Sequence, residues 1–427
     1  YAGKSAMNYG EMPYSISGAR GDNNGKCSMS ALALSMEEGY EKEAKFFATL
    51  AANSGVDVRQ YAHGGSFFGQ VFHPLGANVA GKKAANFQFR EVRWHMDLKR
   101  RWDGRYLYDS SGNGYKNFEH AAVALLFYAA PLKQLIITGR DRNPALELTD
   151  KEFEELIKLK NYDATKVSLD QLFADLPTIQ GNLRGPVGKE LARRAKENPG
   201  SAESNTIVDR LLKMAVDPDA GIYNQVGSCF SLMMFKNRNK DTTRDEEIVK
   251  AMVSLLGSET AYIRFAAVRV MQQINPQTVR PHADAIMDAI IATDRPTFPL
   301  DREDPMQWAH GEMGALLSSV LNKGMDGVDR TKLITALRSS LNTPNGSGRR
   351  RASSILEKLT KKEALELADV VVENVKIAPP ANAMGGSGMP QSMQVLSKYL
   401  FEEGLLLSFA KGETKIALKN KIHQEYG

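Results

Sequence analysis

Residues 257–271 read Gly-Ser-Glu-Thr-Ala-Tyr-Ile-Arg-Phe-Ala-Ala-Val-Arg-Val-Met, which is a short turn followed by an apolar segment. The glycine and serine favour a turn, and the apolar residues that follow recur at helical spacing. A second segment with helical periodicity precedes them, over residues 246–256. This stretch therefore predicts a helical hairpin, and it guides the interpretation of the chain on either side.

The same hairpin pattern recurs from residue 203 onward. The predicted helix pairs are 207–216 with 222–235, 246–256 with 261–274, 278–292 with 306–321, 332–341 with 349–359, and 363–375 with 389–401. Equivalent positions in the second helices are 39, 48, 37 and 43 residues apart: Ser228, Ala267, Ala315, Ala352 and Val395. Repeats of this length are typical of stacked helical hairpins, and a plain helical bundle is the alternative.

The unit at 257–271 resembles the HEAT-repeat consensus, in which a turn precedes a helix with a Val/Ile-Arg-x-x-Ala core. In this chain the core runs from Ile263 to Ala267. The resemblance implies a HEAT-like α-solenoid over residues 203–427. Such arrays present extended curved surfaces that bind other proteins or peptides.

The composition changes along the chain. Residues 1–145 contain 20 of the 34 aromatic residues, 4 of the 7 histidines and 16 of the 35 glycines, and their net charge is +5. The other 282 residues have a net charge of zero. Together with a cluster of prolines and glycines near residues 176–200, this predicts a first domain at 1–145, a helical linker region at 146–202 and the hairpin array at 203–427.

Charge, cysteine content and hydropathy exclude several classes of protein. A net charge of +5 over 427 residues, without a dense basic face, argues against a nucleic-acid partner. Two distant cysteines, Cys27 and Cys229, exclude a disulfide scaffold. No apolar run approaches the ~20 residues that span a bilayer, so we predict no transmembrane segment. Because the chain starts at Tyr1, we expect it to be part of a longer protein.

The first domain also has a helical pattern, so the whole chain is predicted to be all-α. Proline inside the third of its helices, at Pro74, predicts a kink or a break there. Strand-like alternation is confined to residues 105–108 and 134–138. The predicted helices of this domain are 25–38, 40–52, 66–80, 82–102 and 117–133.

Several sequence motifs of the first domain resemble those of the α/α-toroid superfamily, which includes squalene cyclases and prenyltransferase β subunits. They are Gly-Asp-Asn-Asn-Gly-Lys at 21–26, His-Gly-Gly-Ser-Phe-Phe at 63–68, Arg-Trp-Asp-Gly at 101–104 and Ala-Ala-Pro-Leu-Lys at 129–133. Their order is most similar to an uncharacterised bacterial branch that often follows a PDZ domain. The resemblance implies a partial toroid and export to the bacterial periplasm, but no defined activity.

The enzymes of that superfamily use motifs that this chain lacks. The Asp-rich cyclase motifs DxDD and DDxxD are absent. The prenyltransferase zinc site uses Asp, Cys and His, and Asp22, Cys27 and His63 are the corresponding residue types. Their spacing differs from the family pattern, and the alternative for Cys27 is a buried core thiol. We therefore predict no metal and no cofactor, and retain these three residues only as weak metal candidates.

The acid–base candidates are Asp22, His63, Asp103 and His120. His63 follows a tyrosine and an alanine and precedes two glycines, so it can form a general-base pair with Asp22 or serve as a hydrogen-bonding strut. Asp103 can act as a catalytic acid or brace the turn in which Gly104 ends a helix. His120 can face the domain interior or the solvent.

Aromatic residues provide the candidate ligand contacts, namely Trp94, Trp102, Tyr106 and Tyr108. Aromatic rings beside carboxylates and arginines are typical of carbohydrate-binding sites, but they also fill helical cores. Since no catalytic motif is complete, we predict a non-catalytic binding or scaffold module for a protein or polymer. The alternative is a carbohydrate-active enzyme, either a polysaccharide lyase or a hydrolase. The sequence leaves the oligomeric state open.

Overall fold

The computed structural model describes residues 25–55, 67–106, 121–132, 143–178, 185–237, 241–293 and 305–341, together with 355, 358–367, 370 and 420. Over these residues the regular structure is helical and contains no β-strand; a single isolated bridge joins Arg100 and Tyr106. The all-α class predicted from the sequence is confirmed. None of the helices in these ranges combines the length and apolar character needed to cross a membrane.

The chain divides into two compact units, Tyr1–Leu191 and Ala192–Gly427. The division falls inside one helix, within the region predicted as a linker. The α-helices that begin in the first unit are α1 (Lys26–Leu34), α2 (Glu41–Asn53), α3 (Phe67–Val79), α4 (Lys82–Leu98), α5 (Ala121–Ala129), α6 (Asp150–Lys160), α7 (Leu169–Asp175) and α8 (Pro186–Glu197).

The second unit continues the series with the hairpins predicted from residue 203 onward. Its α-helices are α9 (Ala202–Val216), α10 (Ile222–Lys236), α11 (Asp245–Ser254), α12 (Ala261–Met271), α13 (Pro276–Val279), α14 (Ala283–Ala292), α15 (Pro305–Leu321), α16 (Arg330–Leu341) and α17 (Lys361–Glu366). The predicted helices at 349–359 and 389–401 lie wholly or mostly outside the described residues.

Proline and glycine shift several predicted helix bounds. Helix α3 continues through Pro74, so the predicted break is wrong. The predicted helix at 278–292 is divided, because Pro281 lies in a 3-10 turn at Arg280–His282 between α13 and α14. Helix α4 ends at Leu98 rather than at residue 102, and Gly104 adopts a φ of 81° in the turn beyond it instead of at the helix end.

Small side chains allow the first three helices to pack closely. Cys27, Ala48 and Ala77 are fully or almost fully buried, and they share one core with Leu148 and Leu156. The latter two lie in the region predicted as a linker, so that part of the chain is built into the first unit. Thr149 and Glu152 form a capping box at the start of α6, and Leu156 is the buried residue of that helix.

The helices of the second unit contact one another in two rows. Helices α10, α12 and α15 pack in sequence as an inner row, while α9, α11 and α13 follow one another beside them. Helix α14 then joins α15 and α16. Every residue of α12 except Arg269 is buried, including Arg264. The inner row is therefore part of the core of this unit, and exposed surface is found on the outer helices.

An ion pair joins α16 to the first turn of α17. The Arg330 guanidinium reaches both oxygens of Glu363, at 2.7 Å for Nε and 2.5 Å for Nη2. The backbone N–H of Thr360 also donates to Glu363 at 2.7 Å. These contacts, above all the Arg330 hydrogen bond, lower the pKa of Glu363 to about 2.

We predict that this carboxylate makes the second unit acid-sensitive. Its pKa is lower in the folded chain than the ordinary value of 4.5, so its stabilisation is complete above about pH 4.5 and is lost as the pH falls towards 2. Glu363→Gln should remove about 1–3 kcal/mol of this pH-dependent stability, as measured by urea unfolding above and within that window. Glu155→Gln, at an exposed pair with Lys158, is the control. An unchanged acid dependence in Glu363→Gln would contradict the prediction.

Candidate functional site

Helices α4 and α5 bring together the aromatic residues of the first unit. Val92 and Met96 on α4 are fully buried against Phe127 on α5. The ring of Phe89 stacks on that of Phe127, with 5.1 Å between centroids. This small apolar core fixes the two helices side by side, so that the next polar residues along each helix meet at the surface.

Asp97 and Tyr128 make the main polar contact at that edge. The Tyr128 hydroxyl donates a hydrogen bond to Asp97 Oδ1, across a sequence separation of 31 residues. Arg93 Nε lies 3.3 Å from the other oxygen of Asp97, so the two residues form an i,i+4 ion pair on α4. Burial, followed by the hydrogen bond to Asp97, raises the pKa of Tyr128 well above its ordinary value. The phenol therefore stays protonated at neutral pH.

Trp94 lies one helical turn before Asp97 and is 55% exposed. Its indole N–H donates to the Glu91 carbonyl at 3.1 Å, and its edge contacts the His95 ring, with centroids 5.5 Å apart. The ring is held against its own helix by these contacts. More than half of its surface remains free for a ligand.

The turn after α4 is braced by Asp103. The side chain of Asp103 accepts hydrogen bonds from Arg105 through the backbone N–H at 3.1 Å and through Nε at 2.8 Å. Arg101 Nε lies 3.9 Å from the same carboxylate. The Arg105 hydrogen bond is the main cause that lowers the pKa of Asp103, so the group remains a carboxylate. This geometry agrees with the bracing role considered for Asp103.

Two further predicted aromatic contacts, Tyr106 and Trp102, lie within the described residues and differ in their exposure. Tyr106 is partly buried against Tyr128, with ring centroids 6.4 Å apart, and it forms the backbone bridge to Arg100. Trp102 is 93% exposed at the tip of the turn. Helical spacing puts Trp94 and Asp97 on one side of α4, and Asp97 and Tyr106 both contact Tyr128. We call these four residues the Trp94 surface; Trp102 lies on the turn that follows α4.

The remaining predicted site residues either lie in the core or outside the described residues. Cys27 is fully buried among the helices of the first core, as in its core-thiol interpretation. Within the described ranges, no group of three or more His, Cys, Asp or Glu side chains is arranged to hold a metal ion. Asp22, His63, Tyr108 and His120 lie outside those ranges.

Tyr128 is the residue of this surface that the sequence interpretation missed. It follows an apolar run in which Val123, Ala124 and Phe127 are buried, so a core position was its natural assignment. No local signal pairs it with Asp97, because the contact depends on how α4 and α5 pack.

Comparison with known proteins covers the same part of the chain. A family model described as a domain of unknown function, DUF6288, matches residues 1–139. No protein in the curated set and no solved structure matches the chain. The residues similar to this domain of unknown function thus include both helices that carry the Trp94 surface.

Proposed function

We propose that this chain is a non-catalytic binding module whose first unit recognises a polysaccharide chain through the Trp94 surface. The observation that carries the proposal is the half-exposed indole of Trp94 next to the Asp97–Arg93 ion pair. A sugar ring has an apolar face of C–H groups and a rim of hydroxyls. An aromatic face beside charged hydrogen-bonding groups is complementary to both.

The polar groups of this surface retain hydrogen-bonding capacity. A carboxylate has about four acceptor sites, and Asp97 uses one on each oxygen for Tyr128 and Arg93. The guanidinium of Arg93 has five N–H donors, of which its Nε is directed to Asp97. Both residues therefore have sites left for the hydroxyl groups of a bound sugar.

The same contacts favour binding over acid–base catalysis. Asp103 accepts hydrogen bonds from Arg105, and these lower the pKa of its carboxyl group. Asp103 is therefore not suited to deliver a proton near neutral pH. Tyr128, with its raised pKa, is a poor general base.

The architecture that we propose for this module is a partial α/α-toroid followed by a HEAT-like array. Support for the first comes from the packing of consecutive helices on one another, with α1 on α2, α2 on α3 and α3 on α4. Support for the second comes from the row α10, α12 and α15, which contains the equivalent positions Ser228, Ala267 and Ala315. A scaffold role for the second unit would use its outer helices.

The proposal is tested by affinity electrophoresis in gels that contain xylan, a mixed-linkage glucan or polygalacturonate. We expect one of these polysaccharides to retard the wild-type chain. Trp94→Ala should weaken that binding about 10-fold, which is the size of one aromatic stacking contact. Tyr223→Ala, an exposed aromatic residue in the second unit, is the matched control and should bind like the wild type.

Two results would redirect the proposal. The wild type could release shortened sugar chains and His63→Ala could lose that release. This result would favour the alternative, a carbohydrate-active enzyme. Its lyase or hydrolase chemistry would then depend on residues outside the described ranges. Retardation that is unchanged in Trp94→Ala would exclude the Trp94 surface as the binding site.

A further inference from the structure

Trp102 is exposed in a different way from Trp94. Its exposed fraction is 93%, against 55% for Trp94, so its ring makes almost no contact with the chain. Sugar-binding aromatic rings usually present one face while the protein supports the other. An indole that is exposed on both faces is instead suited to insert into an apolar region of a binding partner.

The turn that carries Trp102 is held in a fixed shape. The N–H of Gly104 donates to the Arg101 carbonyl at 3.0 Å, and the N–H of Arg101 donates to the Arg105 carbonyl at 2.7 Å. Arg105 Nη2 lies 2.6 Å from Asp103 Oδ2. Gly104 has a φ of 81°, a conformation that an L-residue rarely adopts. The exposure of Trp102 is thus a property of an ordered turn.

The surroundings of Trp102 are basic and partly apolar. Between Leu98 and Arg105 the chain carries Lys99, Arg100, Arg101 and Arg105 against one carboxylate, Asp103, which is a net charge of +3. Arg100 and Arg101 are exposed, and Leu98 at the end of α4 is 76% exposed. Lys99 is only 6% exposed and Arg105 pairs with Asp103, so the positive charge that faces the solvent beside Leu98 and Trp102 is that of Arg100 and Arg101.

We infer that this turn docks on an anionic lipid surface, with Trp102 and Leu98 inserted among the headgroups and Arg100 and Arg101 bound to lipid phosphates. The charge surplus is complementary to anionic headgroups, which attract basic residues near a bilayer. Tryptophan is favoured at the membrane–water interface, where its apolar ring and its N–H are both accommodated. The arginine stems can lie along the apolar zone while their guanidinium groups stay at the phosphates.

The test uses the full chain in a flotation assay with vesicles. One set contains phosphatidylglycerol mixed with phosphatidylcholine, and the other contains phosphatidylcholine alone. We expect wild-type protein to float with the anionic vesicles only. Trp102→Ala should lower the partition coefficient about 10-fold, and Arg100→Ser and Arg101→Ser about 5-fold each. Trp94→Ala, the matched tryptophan control, should float like the wild type.

A second measurement reports insertion directly. Vesicles with brominated acyl chains should quench the tryptophan fluorescence of the wild type, and this quenching should be lost in Trp102→Phe. Because Trp102 contacts so little, Trp102→Ala should unfold at the wild-type urea concentration, so a loss of flotation reports on binding.

Failure of the wild type to float with anionic vesicles would overturn the inference. So would undiminished flotation of Trp102→Ala, which would indicate adhesion by charge alone. Binding to polysaccharide gels that depends on Trp102 would instead assign the turn to the sugar ligand. None of these results depends on whether Trp94 binds polysaccharide, so the two proposals can fail separately.

Discussion

Lys236→Met is expected to destabilise the second unit by about 3–5 kcal/mol, the largest effect that we predict. Lys236 ends α10, and its Nζ lies 2.5 Å from Oδ1 of Asp245, the first residue of α11. The side chains are 2% and 4% exposed. Lys236 also donates to the Asp241 carbonyl. Methionine removes the cation but leaves the carboxylate buried without its counter-charge, and that residual charge is the main cost.

Two comparisons separate this cost from a general packing effect. The double variant Lys236→Met/Asp245→Asn removes both charges, so it should recover a large part of the lost stability. Lys332→Met breaks a pair of similar length, 2.9 Å from Asp288, but the two side chains are 28% and 61% exposed. It should cost less than about 1 kcal/mol. Urea unfolding measures all three, and equal losses at Lys236 and Lys332 would contradict the prediction.

Gly76→Ala is expected to destabilise the first unit by about 2–3 kcal/mol. Gly76 lies on α3 where that helix meets α1 and α2. A Cβ at this position would lie 2.6 Å from Ser28 Cβ, 2.7 Å from Ser28 Cα and 2.8 Å from Ala51 Cβ. Two of these atoms are Cβ atoms and one belongs to the main chain, so no flexible side chain can yield. Whole helices would have to separate, and the apolar contacts between them would weaken.

Gly257→Ala is the matched control, because no atom lies within 4 Å of the Cβ that it would add. It should change the free energy of unfolding by no more than about 0.5 kcal/mol. Hydrogen exchange measured by mass spectrometry assigns the change to a unit: Gly76→Ala should speed exchange in α1 and α2 and leave α10 to α12 as in the wild type. Equal stability of the two glycine variants would show that the helices tolerate the added methyl group.

Local patterns were enough to predict most helices but not their ends. On α2, residues at helical spacing indicate one buried face, and all four of them are buried, namely Ala44, Phe47, Ala48 and Ala51. The spacing of Thr149 and Glu152 is an equally local signal for a capping box, and the capping box is present. Helix α4 was predicted to run four residues too far, because the turn from residue 99 to 106 depends on side-chain hydrogen bonds of Asp103 that periodicity does not contain.

The candidate site was predictable in its residue types but not in its geometry. Trp94, Trp102 and Tyr106 were grouped because they are aromatic and close in sequence. The structure gives them three different environments. Trp94 is held against its own helix, Trp102 is almost fully exposed, and Tyr106 packs on Tyr128. The contact between Tyr128 and Asp97 links distant parts of the chain through α4 and α5, so it could be found only once those helices were packed.

The hydrogen bond from the Trp94 indole to the Glu91 carbonyl has a consequence for selectivity. Because its single N–H is occupied, this ring offers a ligand only its π-face, which has no free hydrogen-bond donor for a sugar hydroxyl. Discrimination between ligands would then rest with Arg93 and Asp97, whose hydrogen bonds are directional. In the proposed site the Trp94 ring would therefore contribute affinity, and the Arg93–Asp97 pair would contribute selectivity. Changing Arg93 or Asp97 would then alter which polymer is preferred, while the affinity contributed by the ring would persist.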